Sequence, residues 1–545
     1  MFPYAEERFT DQEAEVLRRY VTNLDGPVFA LVNLPEVVKG ALFARYSRSS
    51  KSLRRLFLDE FVGDLDVSGD AGVDATVGLE RAEQLYERVF VEYGDDSVAQ
   101  LGGVHLACEQ SSNLLTKVLE WGRLMAYLEQ STRYVAYDSR LSSGHYRYFR
   151  DPDVLESPLG ARYVGDMDRI FDTYAELLPL VQGHLTRKYP RQAGDSDFVY
   201  RQSIRAKALD ALRGLLPASS LSNVGIYGTG QAYEMLLMRM QLHPLPEARR
   251  YGQMMLEELR KVIPSFLQRV DVPTRGGAWA RYLAETRERT DELVGKLWPD
   301  RAEGETPTGP EVRLMDFDPQ GEEKVLVAMA YPLTSLGEEE LVDRVRLLTA
   351  EERLELFRAY VGERGNRRHR PGRALERTAY RFDVVSDYGA FRDLQRHRML
   401  TIEWQELGTQ LGYDVPPTVE EAGVAEQYVA SMTRSAELYE QMRRVCPDQA
   451  SYAVALGFRI RYSMQMNARE AMHLIELRSG QQGHPAYRHV AQQMHDLIAT
   501  RAGHRAIADA MQYVDHDDYD LERIDAERRA EARRAGAGTA PGTVS

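Results

Sequence analysis

At 545 residues with 43% hydrophobic side chains, the chain exceeds the size at which one core keeps growing, so two domains of roughly 250 residues are expected. A formal net charge of -14 with 28% charged residues excludes a protein built to coat nucleic acid nonspecifically. The two cysteines, Cys108 and Cys446, are far apart and offer neither a disulfide framework nor metal-ligand spacing.

The opening MFPYAEERFTDQEAE lacks a basic-then-apolar signal pattern, and no run of about 18 apolar residues occurs, so a cytoplasmic protein without membrane contact is expected. Residues 10–130 read mostly as helix, because DQEAEVLRRYVTNL and GLERAEQLYERVFVEY repeat apolar positions at helical spacing, while GGVHLA has the character of a strand. The polar, Pro- and Gly-containing stretch Trp298 to Glu311 is the expected linker, dividing a first domain, 1–297, from a second, 312–525. Beyond it, EEKVLVAMAYPLT opens the second domain, and TAYRFDVVSDYGAFRDLQRHRM alternates and then turns helical, a strand feeding a helix. Residues 526–545 are charged, then rich in Gly, Ala and Thr, and are expected to be a disordered tail. The run GIYGTGQ has the spacing of neither a dinucleotide-binding loop nor a P-loop.

Three adjacent cation-capable side chains, Arg396, His397 and Arg398, end the strand-to-helix unit and are costly without an anionic partner. Thr401 follows, with Glu403, Trp404, Glu406 and Gly408 beyond it. About half a chain earlier, WGRLMAYLEQSTRY sets Arg123, Glu129, Ser131, Arg133 and Tyr134 at matching spacing. A carboxylate, a hydroxyl and a guanidinium two residues apart can converge on a nucleotide if the backbone turns there. Further on, NAREAMHLIELRSGQQGHPAYR holds Asn467, Arg469, His473, Leu477, Arg478 and Arg488. Read as one helix, it places Asn467 and Arg478 on one stripe beside Met464, Ala471, Met472 and Ile475, and Arg469 and His473 on a second. In the first half, Arg239 and Arg249 repeat the spacing of Arg478 and Arg488, with Gly228, Gly230 and Glu234 at the places of Asn467, Arg469 and His473.

Together these motifs resemble the two signatures of the flavin-dependent thymidylate synthases, divided between two partly degenerate copies. The second copy keeps Arg396, His397 and Arg398 but loses the end of the first signature; the first copy keeps Glu129, Ser131 and Arg133 but has Trp121 and Gly122 in place of the first Arg and the His.

The resemblance implies an α/β (α+β) fold in each half, a central sheet with many surrounding helices. It implies reductive methylation of dUMP at carbon 5, with methylenetetrahydrofolate as carbon donor, FAD as redox cofactor and NADPH as reductant. Arg396, His397, Arg398, Thr401, Asn467, Arg469 and His473 are then expected at FAD, Glu129, Ser131 and Arg133 at the nucleotide, and Arg478 at the uracil ring as the catalytic group. Family members resemble homotetramers, so a fused pair is expected to be a homodimer. Modification of another pyrimidine nucleotide, nucleotide binding without catalysis, and a purely helical interaction protein are the alternatives.

Overall fold

The computed structural model describes residues 4, 7–34, 36–60, 102–192, 195–299 and 311–519. The expected helix at GLERAEQLYERVFVEY, most of the linker and the tail beyond 519 lie outside the described residues. No described helix is long and apolar enough to cross a membrane.

Two four-stranded antiparallel sheets repeat one plan. The first has the order β1-β2-β4-β3, from β1 (Val28–Leu31), β2 (Gly103–Ser112), β3 (Met125–Glu129) and β4 (Leu221–Thr229); the second has the order β5-β6-β8-β7, from β5 (Val312–Phe317), β6 (Ala379–Asp387), β7 (Thr401–Trp404) and β8 (Arg459–Asn467). With helices around antiparallel sheets, each half is of the α+β kind.

In both halves a strand runs directly into a capped helix. Ser112 ends β2 and accepts from Leu115 N to start α1 (Asn113–Leu119); Asp387 ends β6 and accepts from Ala390 N to start α3 (Tyr388–Gln395). The same device joins β4 to α2 (Gly230–Gln241) through Thr229 and β8 to α4 (Ala468–Arg478) through Asn467. The strand feeding a helix at TAYRFDVVSDYGAFRDLQ is therefore found as expected, and all of GGVHLA but its first glycine lies in β2. The mostly helical reading of residues 10–130 is corrected by β1 and β3. In β1 all four residues, VFAL, are buried, so no alternation reveals it as a strand.

The expected single helix around Asn467 is also corrected. Met464 belongs to β8, and Asn467 stands at the N-cap with its side chain accepting from Glu470 N at 2.9 Å. Because Thr229 holds the matching cap in the first half, it is Thr229, not Gly228, that stands opposite Asn467. Arg239 thus falls one residue short of Arg478's place along its helix. The glycines of GIYGTGQ serve packing: a Cβ on Gly228 would stand 2.5 Å from the Met125 side chain, and one on Gly230 would stand 2.7 Å from Phe266.

The chain forms two compact units that are not simple halves. One comprises Met1–Leu178, Leu215–Glu305 and Val424–Ala455; the other comprises Pro179–Gly214, Thr306–Gly423 and Leu456–Ser545. Each sheet lies wholly in one unit, and each unit also takes in a segment from the other half of the sequence. In the first unit the incoming segment carries helix Ala425–Val445, where Arg434 pairs with Asp166 at 3.0 Å, and Tyr452, whose hydroxyl donates to the buried Glu247 at 2.7 Å. In the second unit the incoming segment carries helix Asp197–Leu212 and then Arg213, which donates to Asp387 at 3.3 Å.

Candidate active site

The second unit gathers most of the sequence-predicted cofactor residues into one cluster. Its two walls are the end of α3 with the turn that follows it, and the length of α4. Arg478, the last residue of α4, donates from Nε to His397 Nε2 at 3.0 Å, and its guanidinium lies 3.5 Å from Asp393 Oδ1. The same Asp393 oxygen takes Arg396 at 2.5 Å. On the other side of the imidazole, His397 Nδ1 faces Glu470 Oε1 at 3.3 Å, and the rings of His397 and His473 are 5.5 Å apart. His473 meets Arg370 at 2.9 Å.

Arg398 and Thr401 stand on the exposed side of this turn, and the charge of Arg398 acts on Glu470. Asn467 caps α4 one turn from His397's carboxyl partner. Arg469 points elsewhere, to the Pro371 carbonyl at 3.0 Å and Glu376 at 3.3 Å.

Electrostatics sorts these groups. Burial acts to raise the Asp393 carboxyl, but Arg396, Arg478, Arg213 and Arg392 together outweigh it and hold Asp393 well below the usual carboxylate range. Burial, reinforced by Arg478, pushes His397 well below its ordinary value, and burial with Arg370 lowers His473 to about 4, so both imidazoles are neutral at pH 7. Burial raises Glu470 to about 7. Asp393 is thus a fixed anion, whereas Glu470 exchanges its proton near neutrality.

Four residues of this cluster carried no signal in the motifs. Asp393 and Glu470 lie three residues before Arg396 and His473, one helical turn away, a spacing that could have flagged them. Arg370 and Arg213 could not have been found that way. Arg213 comes from the first half, is 4% exposed and sits against Asp387 and Gly389 within the second unit.

The remaining predicted residues lie in the first unit. Glu129 ends β3 and is buried against the Lys117 ammonium at 3.4 Å, which Glu120 also holds at 2.6 Å. After it the backbone turns as the motif requires, with Tyr134 N and Val135 N both donating to Ser131 O, and the Ser131 hydroxyl accepts from Arg133 N at 3.3 Å. The adjoining Gln130 lines a cleft of about 260 Å³ with Ser50, Lys51, Gln110, Arg147 and Asn223. Where the second unit has Arg478 on His397 and Asp393, Arg239 instead lies over the Trp121 ring at 4.9 Å, and Glu234 is gripped by Arg269 at 2.6 and 2.9 Å.

A family model described as thymidylate synthase complementing protein matches residues 41–265 and again residues 313–502. The chain belongs to this family. One matched stretch in each half makes it a duplicated member. It is 39% identical over 531 residues to the UPF0159 protein of Chlamydia pneumoniae, covering 96% of this chain and 99% of that one, and 32% identical over 529 residues to the UPF0159 protein of Thermoplasma acidophilum, covering 91% and 99%. Both alignments run through the two halves, so these relatives share the tandem arrangement. Among solved structures, a UMP/dUMP methylase, PolB, from Streptomyces cacaoi bound with 5-Br dUMP is 20% identical, with a TM-score of 0.30, and spans 36% of this chain and 94% of that one.

The cluster suits an anion better than a cation. His397, Glu470 and His473 present ligand atoms close enough together to hold a metal ion. Yet Arg478 occupies His397 Nε2 and Arg370 meets His473, and their charges repel a metal from those nitrogens. Arg370, Arg396, Arg398 and Arg478 instead supply planar donor forks of the type that grip phosphate and delocalised oxyanions.

Proposed function

We propose that the protein is an FAD-dependent thymidylate synthase: dUMP is methylated at carbon 5, methylenetetrahydrofolate gives the carbon, NADPH gives the reducing equivalents, and the working form is a homodimer. The observation that carries this reading is the Arg396–Asp393–Arg478–His397 network, in which two guanidiniums share one half-buried carboxylate beside a neutral imidazole.

The donor set of the second unit fits the proposed cofactor, since FAD brings a diphosphate and a ring system that becomes anionic on reduction. Reduced flavin, when bound, supplies the hydride that turns the transferred methylene into a methyl group. Arg396, His397 and Arg398 would hold it through charge-assisted bonds, and Thr401 and Asn467 border the same turn and helix. His473 would complete the cofactor side of α4, and Arg469 would reach the cofactor only by leaving Pro371 and Glu376.

Carbon 5 of the uracil becomes a nucleophile when negative charge spreads into the ring carbonyl and nitrogen. A guanidinium stabilises that charge without giving up its own proton. Arg478 is assigned this task because Asp393 and His397 fix its plane, so little reorganisation is needed as charge develops. Glu470, exchanging a proton near pH 7, is suited to take up the C5 proton by way of solvent. Ser131 and Arg133 would hold the nucleotide phosphate, with Glu129 anchoring the strand end through Lys117.

The test is the visible spectrum of the protein after incubation with FAD and desalting, followed by titration with dUMP. Retained flavin bands that shift with dUMP support the reading. A colourless protein that nonetheless gains thermal stability from dUMP would make it a nucleotide-binding relative without flavin chemistry.

A further inference from the structure

A second cluster of ligating side chains lies in the same unit, on residues that the proposed reaction does not use. Helix α5 (Pro485–Thr500) carries His495 and Asp496, and the chain returns past it as the segment Met511–Tyr519, which carries His516. His495 Nδ1 and His516 Nε2 face each other at 3.0 Å, and Asp496 Oδ1 lies 3.9 Å from the same His495 nitrogen.

The tautomer of His495 is fixed by its other nitrogen. Nε2 lies 3.1 Å from the Ala508 carbonyl, which can only accept, so Nε2 carries the proton and neutral His495 turns a bare lone pair at Nδ1 toward His516. Ligating imidazoles are oriented in this way, with the far N–H donated to a carbonyl or carboxylate. Two nitrogens each about 2.0–2.1 Å from a tetrahedral zinc ion stand roughly 3.3 Å apart, close to the separation seen. Guanidiniums crowd the His397 cluster, whereas here Asp517 and Asp518 flank His516 on its exposed side, with Asp515 beside them paired to Arg488 at 3.5 Å. A divalent cation is therefore attracted here.

We infer that His495, His516 and Asp496 form a structural site for a borderline divalent cation of the zinc class, with water completing the coordination. Imidazole nitrogens with one carboxylate select such ions over magnesium or calcium. The ion fastens the segment Met511–Tyr519 to α5. That segment is already tied inward: Asp517 O accepts from Arg488 at 2.8 Å, Arg488 Nε donates to Ser479 O at 2.7 Å, and Asp515 N donates to Ser479 Oγ at 3.1 Å. Ser479 directly follows Arg478, so the clip steadies the end of α4.

The experiment is calorimetric titration of the metal-stripped, tag-free full chain with Zn²⁺, repeated with Co²⁺ while recording visible absorption. The expected result is one saturable equivalent, tetrahedral Co²⁺ bands, and a rise in thermal midpoint. His516→Asn and His495→Ala should each weaken uptake beyond the ~10–100-fold typical of losing an outer-shell partner. His516 is exposed, so its replacement leaves the fold intact and tests the site even if His495→Ala unfolds the helix. His473→Ala should leave uptake unchanged. No saturable uptake, or the same uptake in His516→Asn, would overturn the inference and leave a plain His–His hydrogen bond. Loss of uptake in His473→Ala instead would move the metal to the other cluster and equally overturn it.

Discussion

Arg478 Nε donates to His397 Nε2 at 3.0 Å, and this one bond sets the protonation of the imidazole. A guanidinium N–H cannot accept, so Nε2 must offer its lone pair and the ring proton must sit on Nδ1, aimed at Glu470. Arg478→Lys keeps the charge but loses the fork, and both guanidinium contacts go with it. Lysine also cannot make the two-pronged contact proposed to the uracil ring, and losing one charge-assisted hydrogen bond there, worth about 1.5–3 kcal/mol, should lower dUMP affinity by roughly 10- to 100-fold. Histidine ¹⁵N spectra should show His397 leaving the Nδ1–H form in the variant. An unchanged His397 tautomer would contradict the assigned geometry.

Glu470 gives the protein a pH dependence of defined sign. Its carboxyl is raised from an ordinary 4.5 to about 7, chiefly by burial. Below pH 4.5 the folded and unfolded chains both hold the proton. Between 4.5 and 7 the unfolded chain ionises first, so stability falls as pH rises, by up to about 3 kcal/mol, and the loss persists above pH 7. Glu470→Gln removes this contribution. Relative to the unmodified protein, it should be more stable at pH 8 than at pH 4.5 in urea denaturation, and equal differences at both values would reject the effect.

The segment that enters the first unit from the second half is held by a buried polar knot. Glu247 accepts from Ser112 N at 2.8 Å, from the Ser112 hydroxyl at 2.5 Å and from the Tyr452 hydroxyl at 2.7 Å, and burial raises it to about 7. Tyr452→Phe removes one donor and leaves carboxylate oxygen buried. The expected cost is about 1–3 kcal/mol in chemical denaturation. The loss should be smaller at pH 5, where Glu247 is protonated, than at pH 8.

How much of this was legible follows from the distance over which each feature is specified. The strand-to-helix units around β6 and α3 rest on local alternation and capping, and the sequence from Thr378 to Met399 displays both. The grouping of Arg396, His397 and Arg478 was legible because motif spacing carries the family pattern. The sequence does not tell Asn467 as a cap from a residue inside the helix, because both positions have the same apolar neighbours. Arg213 was invisible, since the segment Pro179–Gly214 joins a unit made mainly of the other half, and no local periodicity encodes such an exchange. Arg370 was equally out of reach, as it meets His473 across 103 positions of sequence.

Arg213 is therefore the residue whose removal tests the exchange itself. It is buried, pairs with Asp387 and lowers Asp393. Arg213→Ala leaves those carboxylates under-compensated and should cost about 3–5 kcal/mol, the usual penalty for breaking a buried pair by one partner. Arg213→Ala with Asp387→Asn should recover much of that loss. An additive double variant would mean that the two residues do not interact.

The two halves have diverged at the matching ends of α2 and α4, and function should follow that divergence. Arg478 sits between a fixed carboxylate and an imidazole, whereas Arg239 stacks on Trp121, and burial lowers its pKa from the ordinary value. A cation–π contact of this kind is worth about 0.5–1 kcal/mol at an exposed site and ~2 when desolvated. Arg239→Ala should therefore cost stability within that range and leave dUMP affinity within about threefold of the unmodified protein. Arg478→Ala and Arg133→Ala should each abolish the dUMP-induced change in the flavin spectrum. Equal losses from all three variants would mean that the halves remain functionally equivalent, and that the replacement of Arg and His by Trp121 and Gly122 did not retire the first copy's cofactor side.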